Sequence, residues 1–497
     1  DGQDSTIEGD LKVNIGATNV GNTNYTKNGT IPTAGSAIVD YDVNETDTKA
    51  NPYNANPKLN KHPEYIRNSF GILSTAATSL TSHEIKIYDK AEKNVGVMPN
   101  RDVLLTLGTG SIEIHGEDTA KDNIGIYVNG KGAVKSTGNV TIDKGIGNLA
   151  VFAKGGALPS GATEQVSVNK IEGTNTKNSV FIYAESTATT GATVKASELN
   201  ISNATIEADA DTDNKKDTGA IFATGENTVV TVTRTATPTS ANIEITGRER
   251  KNAVTGEADG YVGFGFFANN KAKINANYNS LKVTNGSSAV VAQNANTEIN
   301  MDHGKVEYSG PGYALFSDGS GKINLTNGEL VLDGKATGFS VDYSAATQPI
   351  DLTSTTVNIN SDDAILMSVK NVTSLGTTGM GTALLSKVNL TPANIGGTGT
   401  RYKFAVLDGA TINVDGNIDK ADTTSTSDSY IFTRRIQLQN SNINVLSGNT
   451  VKAHLNTTEL ASINPNLSVP VGLDVSASGN STSRATTGVN VANGATI

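Results

Sequence analysis

Two adjacent carboxylates, Asp362 and Asp363, close a strand-like run and precede Ala364-Ile365. Paired carboxylates can act as acid and base across a glycosidic bond when supporting side chains arrive from neighbouring elements. His303 and Arg435 are the companions that would complete such a trio with Asp362. The plainer reading, a turn that ends one segment, carries more weight. Asp209, Asp211, Asp213 and Asp217 alternate along another stretch, as the first ligands of a calcium loop do. Asn214 stands where such a loop needs Gly, no Glu closes it, and Lys215-Lys216 add competing charge. A solvated charged loop is the expectation there, and Asp415, Asn417 and Asp419 pose the same question with less support. His62, His83, His115, His303 and His454 are isolated from one another and read as solvent-facing strand or loop residues. No nucleophile elbow, P-loop or dinucleotide fingerprint occurs, so neither an enzyme nor a cofactor or metal is expected.

Contact chemistry is better represented. Residues 40–68 hold Tyr41, Tyr53 and Tyr65 together with Pro52, Pro57 and Pro63, in a chain with 12 prolines in all. Proline cannot donate to a strand ladder, so this stretch should leave the regular fold. Tyrosine offers rigid contact area with a polar tip, suited to a glycan or a protein pocket. Lys58, Lys61 and Arg67 add local positive charge. The competing reading is a brace that packs on the fold. A second excursion over 247–262 carries Arg248, Arg250 and Lys251, which would meet an acidic partner or simply stay solvated. Further excursions are expected over 207–218 and 419–429.

The elements that position these residues follow from composition and period. The 497 residues include 51 Gly, no Cys and no Trp, and aromatics make up 5%. Such a chain cannot form disulfides or a bulky aromatic core, but it can stack slim layers of Val, Ile and Leu. A net charge of −10 argues against nucleic-acid binding, which needs a basic surface. No apolar run of membrane-spanning length is present, so direct membrane insertion is not expected.

One apolar motif recurs: a small residue, two or three apolar residues, a small residue and a turn. Gly125-Ile126-Tyr127-Val128-Asn129-Gly130, Leu149-Ala150-Val151-Phe152-Ala153 and Gly219-Ala220-Ile221-Phe222-Ala223 are copies. Later copies begin at about 264, 289, 313, 339 and 364, a period near 25. Longer steps equal one period plus an insertion. Between copies lie alternating strands such as Ile112-Glu113-Ile114, Val140-Thr141-Ile142 and Ile323-Asn324-Leu325, followed by Asn or Gly. Alternation puts the aliphatic residues on one face, and Asn and Gly suit left-handed turn positions. A constant period of this size marks a solenoid. The expected fold is all-β: a single right-handed parallel β-helix with loop excursions, about 17–20 coils and roughly 80–95 Å long at one strand spacing per coil. Ile221, Phe222, Val290, Leu315 and Leu366 are expected to point inward.

These copies resemble the rungs of large fusobacterial autotransporter passengers of the RadD-like kind, over about residues 100–450. The resemblance implies a monomeric cell-surface adhesin segment, extracellular and anchored by an outer-membrane barrel. Its partners would be host-cell receptors or glycans and other bacteria. Asp362-Asp363 also has a partial likeness to the aspartates of β-helical pectin hydrolases, but the Asn-Thr-Asp element is absent and Arg435-Ile436-Gln437 matches only in part. A polysaccharide-degrading enzyme is therefore the runner-up, and a spacer without a site is the third reading.

Overall fold

A computed structural model describes residues 5–15, 36–41, 66–67, 70–87, 91–115, 120–206, 218–235, 240–251, 258–343, 348–372, 384–399 and 402–409. Beyond these it describes 411–414, 418–420, 436–439, 441–445, 447–448, 451–453, 473–474 and 488–493. Strands and tight turns make up nearly all of them, and helix is limited to single turns such as Pro392–Asn394. The chain divides into two compact units, Asp1–Leu281 and Lys282–Ile497. Each is a parallel β-solenoid, as the repeat predicts.

In the first unit every complete coil has a first, a second and a third strand. The first strands are the recurring apolar motifs: Phe70–Ser74, Val95–Pro99, Ile124–Asn129, Leu149–Lys154, Val180–Glu185, Gly219–Thr224 and Phe264–Asn269. They pair parallel and in register, so that Val97, Ile126, Val151, Ile182, Ile221 and Phe266 form one column. The second and third strands are the alternating segments. In Leu104–His115, Val166–Thr174 and Thr193–Thr205 they run on as one long bent strand; elsewhere they separate, as in Ala133–Ser136 and Asn139–Asp143. Ile85, Ile112, Val140, Ile171 and Leu199 form a second column, and all five are at most 1% exposed. Each such aliphatic side chain contributes roughly 1.5–3 kcal/mol when withdrawn from water.

One interruption shows how tightly the coils are matched. Gly173 takes the place of isoleucine between Ile142 and Ile201, and a Cβ there would lie 2.0 Å from the Phe181 ring. Phe181 is fully buried and occupies the strand position that Ala150 and Ala220 hold in the flanking coils. A large residue and a vacant position thus exchange volume across the core, keeping it close-packed.

The second unit has the same plan. Its first strands are Ser288–Gln293, Tyr313–Asp318, Thr337–Asp342, Ile365–Lys370, Lys403–Asp408, Ile436–Gln439 and Leu473–Asp474. Val290, Leu315, Phe339, Met367 and Ala405 form its column. Third strands stack as Lys305–Ser309, Glu329–Asp333 and Thr356–Ile359. Among the described residues each unit has seven first strands, fewer than division of the length by 25 suggests. Insertions lengthen the coils: in the first unit first strands begin at 70, 95, 124, 149, 180, 219 and 264.

Of the five residues expected inside, Ile221, Val290, Leu315 and Leu366 are fully buried. Phe222 is not. It lies between the inward Ile221 and Ala223, and strand alternation turns its ring outward, where it is half-exposed. His83 departs in the opposite sense. The sequence places it in solvent, but it is 3% exposed, on the same side of the strand Thr78–Ile87 as the buried Ile85 and Ile87.

A polar stack seals the corner between third and first strands. Asn94, Asn123 and Asn148 are fully buried. Asn94 donates from its backbone N–H and from Nδ2 to Asn123 Oδ1, at 3.0 and 3.2 Å. Asn123 makes the same two bonds to Asn148 Oδ1, at 2.9 and 3.2 Å. The Asn148 backbone N–H then donates to Ser179 Oγ at 3.2 Å. Each amide satisfies the turn of the adjacent coil, which buried backbone groups require.

Candidate interaction surfaces

The outer face of the first strands in the first unit carries a ladder of rings. Tyr127, Phe152, Tyr183, Phe222 and Phe267 stack in order with centroids 4.9, 5.3, 4.9 and 5.2 Å apart and planes within 28° of parallel. Coil spacing imposes this, because one position of the strand recurs at each rung. The three inner rings, Phe152, Tyr183 and Phe222, have both faces against other rings. The ladder therefore ties coil to coil, at about 0.5–1.5 kcal/mol per contact, and these inner rings keep no face for a sugar. Desolvation, with the Glu185 carboxylate nearby, raises the Tyr183 hydroxyl above its usual pKa. Sequence reading missed both this ladder and the buried asparagines. Their signal was present in the spacing of Tyr127, Phe152 and Tyr183, and of Asn94, Asn123 and Asn148.

The outward positions of the third strands carry charge in local pairs. Lys86 stands 2.5 Å from Glu84, Lys170 stands 2.8 Å from Glu172, and Lys305 stands 2.8 Å from Glu307 and 3.2 Å from Glu329. Glu307 and Glu329 keep the Lys305 ammonium above its usual pKa. Such exposed pairs add at most about 1 kcal/mol each, but they leave these faces electrostatically quiet.

Excursions supply the exceptions. Within 247–262 the chain leaves the parallel array as an antiparallel hairpin, Arg248–Lys251 against Ala258–Val262, with Arg248 opposite Val262 and Glu249 opposite Tyr261. It emerges between the third strand Ile243–Thr246 and the first strand Phe264–Asn269. Gly247 and Gly263 meet at its base, where a Cβ on Gly263 would lie 2.9 Å from the Gly247 Cα. Arg248 and Arg250 are half-exposed, while Glu249 and Lys251 are exposed.

The Pro- and Tyr-rich excursion is narrower than expected. Asp40 and Tyr41 belong to the strand Ser36–Tyr41, with Tyr41 opposite Ile15, and Arg67 pairs with Glu92. These ends stay in the ladder because the prolines that forbid pairing begin only at Pro52. Tyr53, Tyr65, Lys58 and Lys61 lie outside the described residues, as do Asp209, Asp211, Asp213 and Asp217. Asp419 sits in the strand Ile418–Lys420, opposite Lys452, so the last excursion starts later than 419.

Asp362 and His303 are not brought together. Asp362 and Asp363 lie in the turn from a third strand, Thr356–Ile359, to a first strand, Ile365–Lys370. The Asp363 N–H there donates to Ser361 Oγ at 3.2 Å. His303 lies at a different corner, in the turn from Glu298–Asn300 to Lys305–Ser309, with φ of 54°. Its Nδ1 stands 2.9 Å from Asp302 Oδ2. Donation from Asn327, with His303 and Thr326, holds the Asp302 carboxyl below its usual pKa. Arg435 is outside the described residues. Among the described residues no three His, Asp or Glu side chains gather as metal ligands, and no helix is long and apolar enough to cross a membrane. Comparison of the chain with protein families, with curated proteins and with solved structures finds no match.

Proposed function

We propose that this chain is a binding segment of a bacterial cell-surface adhesin, an autotransporter passenger whose stacked coils display contact elements. It acts outside the cell, as a monomer, with an outer-membrane barrel as anchor. Its partners are host-cell receptors or glycans and other bacteria, with no nucleic acid, cofactor or catalytic step involved. The observation that carries this reading is the hairpin over 247–262. A regular array with quiet, charge-paired faces is interrupted by a two-stranded element bearing Arg248, Arg250 and Lys251. In an acidic chain, the strand Arg248–Lys251 sets three cations beside one carboxylate, Glu249, which suits approach to negatively charged cell surfaces.

A glycan and host-receptor screen of the purified chain tests the proposal, alongside a variant in which a short Gly-Ser link replaces residues 249–261. Because Gly247 and Gly263 already meet, that deletion should leave the coils and their melting unchanged. Adhesion to cells should fall. Equal adhesion by the intact and shortened chains would remove the hairpin from the contact surface. Failure of the intact chain to bind any cell or glycan would overturn the proposal as a whole.

A further inference from the structure

We infer that the first unit carries a second, preformed site: a groove for a short acidic oligosaccharide at the corner where first strands pass into second strands. It deepens the reading of the chain as a binding protein and rests on it. The groove has a volume of about 600 Å3 and is bounded by Arg101, Asp102, Leu104, Lys131, Pro159 and Ser160. That volume falls within the roughly 300–1,000 Å3 of small-ligand sites.

Its floor is built from the same corner of three successive coils, following the first strands Phe70–Ser74, Val95–Pro99 and Ile124–Asn129. Its overhanging wall is the insertion 155–165, which follows the first strand Leu149–Lys154. This wall is held in place. Gln165 is 2% exposed; its Nε2 donates to the Gly156 carbonyl at 2.7 Å, and its Oε1 accepts from the Thr193 N–H at 2.7 Å. Within the insertion the Ala162 N–H donates to the Pro159 carbonyl at 3.1 Å. The floor is equally fixed, since Ser74 Oγ and Thr78 Oγ1 both donate to the Ala76 carbonyl. A preformed groove spends little ordering entropy on its ligand.

Charge and lining define the ligand: two cations, Arg101 and Lys131, outnumber the one lining carboxylate, Asp102. Arg101 and Lys131 are exposed, one coil apart, about 4.8 Å in rise. Unlike Lys86, Lys154 and Lys170, neither has a carboxylate within ion-pair distance among the described residues. Two such cations can share one carboxylate, and Arg adds a planar fork for it. Thr75 and Ser160 supply hydroxyls, and Leu104 and Pro159 supply small apolar faces for the C–H side of a sugar ring. An extended peptide finds three of the corner's amides already engaged. Asn100 N–H donates to Ser74, Val103 N–H to Arg101 and Ala133 N–H to Val103. Those three are not left for a peptide strand to pair with.

Calorimetric titration of the intact chain with 3′-sialyllactose, a uronic acid trisaccharide, lactose and hexaglutamate tests the assignment, repeated on Arg101→Ala/Lys131→Ala. At least one acidic saccharide should bind, lactose and hexaglutamate should not, and the double variant should weaken binding at least tenfold without changing the melting temperature. Raising salt from low to physiological should weaken it further. Absence of binding at millimolar saccharide, equal binding of lactose or hexaglutamate, or full affinity in the double variant would each overturn the site. Cell adhesion that persists in the double variant and disappears with the hairpin deletion would overturn the groove as an adhesion site while leaving the adhesin reading intact.

Discussion

Replacing Asn123 with alanine should fray the first unit at one corner. The side chain accepts two bonds from Asn94 and donates one to Asn148, and all three residues are fully buried. Truncation leaves the Asn94 backbone N–H and Nδ2 without their acceptor, whereas Asn148 Oδ1 still accepts from the Asn123 N–H. At about 1–3 kcal/mol for each buried donor left unsatisfied, the loss comes to about 2–6 kcal/mol. Solenoid coils contact chiefly their neighbours, so the loss should be local. Amide hydrogen exchange is therefore the assay of choice. Protection of the amides of residues 94–98 and 124–128 should fall by about 1.5–4 powers of ten at about 1.4 kcal/mol per decade, with amides of the second unit unchanged. Asn123→Ser should lose less, because Ser179 Oγ already accepts the equivalent backbone bond from Asn148. Unchanged protection in the alanine variant, or a serine variant no better than alanine, would refute the account of the asparagine stack.

Other outcomes follow from the same coordinates. Ile221→Asp buries a charge and should cost several kcal/mol, whereas Phe222→Asp removes rim-exposed ring contacts and should cost about 1–3 kcal/mol; chemical denaturation showing the reverse order would put the wrong residue inside. Gly173→Ile should destabilise the first unit by about 1–3 kcal/mol through its clash with Phe181, and adding Phe181→Ala should recover much of that loss in a double-mutant cycle; additive losses would count against the volume exchange. Burial of His83 lowers its pKa from 6.5 to about 4. Its neutral form is thus the one the fold accepts: the unfolded chain takes up a proton below pH 6.5 and the folded chain only near 4. The first unit should therefore lose roughly 3 kcal/mol as pH falls across that window and none of it above. Melting followed from pH 7.5 to 4.5 should show this loss, and His83→Leu should remove it; an unchanged slope in that variant would refute the assignment.

The period near 25, the alternating strands and the lack of any helical stripe were enough to read a parallel β-solenoid, and Val290, Leu315 and Leu366 were enough to locate its inside. These features repeat, and repetition survives without knowing which coil sits where. The basic run at 248–251 likewise marked a departure from the parallel array, because a strand charged on both faces has no apolar side to turn to the core. What the fold alone decided is side and corner. Phe222 belongs to an apolar doublet whose members look equivalent in sequence, yet the pleat sends one into the core and the other onto the ring ladder. His83 looked like one more exposed strand residue until pairing put it on the same buried side of Thr78–Ile87 as Ile85 and Ile87. Asp362 and His303 looked like possible partners until the coil set them at separate corners. Arg101 and Lys131 are 30 residues apart and carry no motif, and only stacking of their coils makes them neighbours under the 155–165 overhang. Spacing along the chain records what each coil has in common, whereas a site depends on what differs between coils, and that difference acquires meaning only when hydrogen-bonded register brings distant turns together.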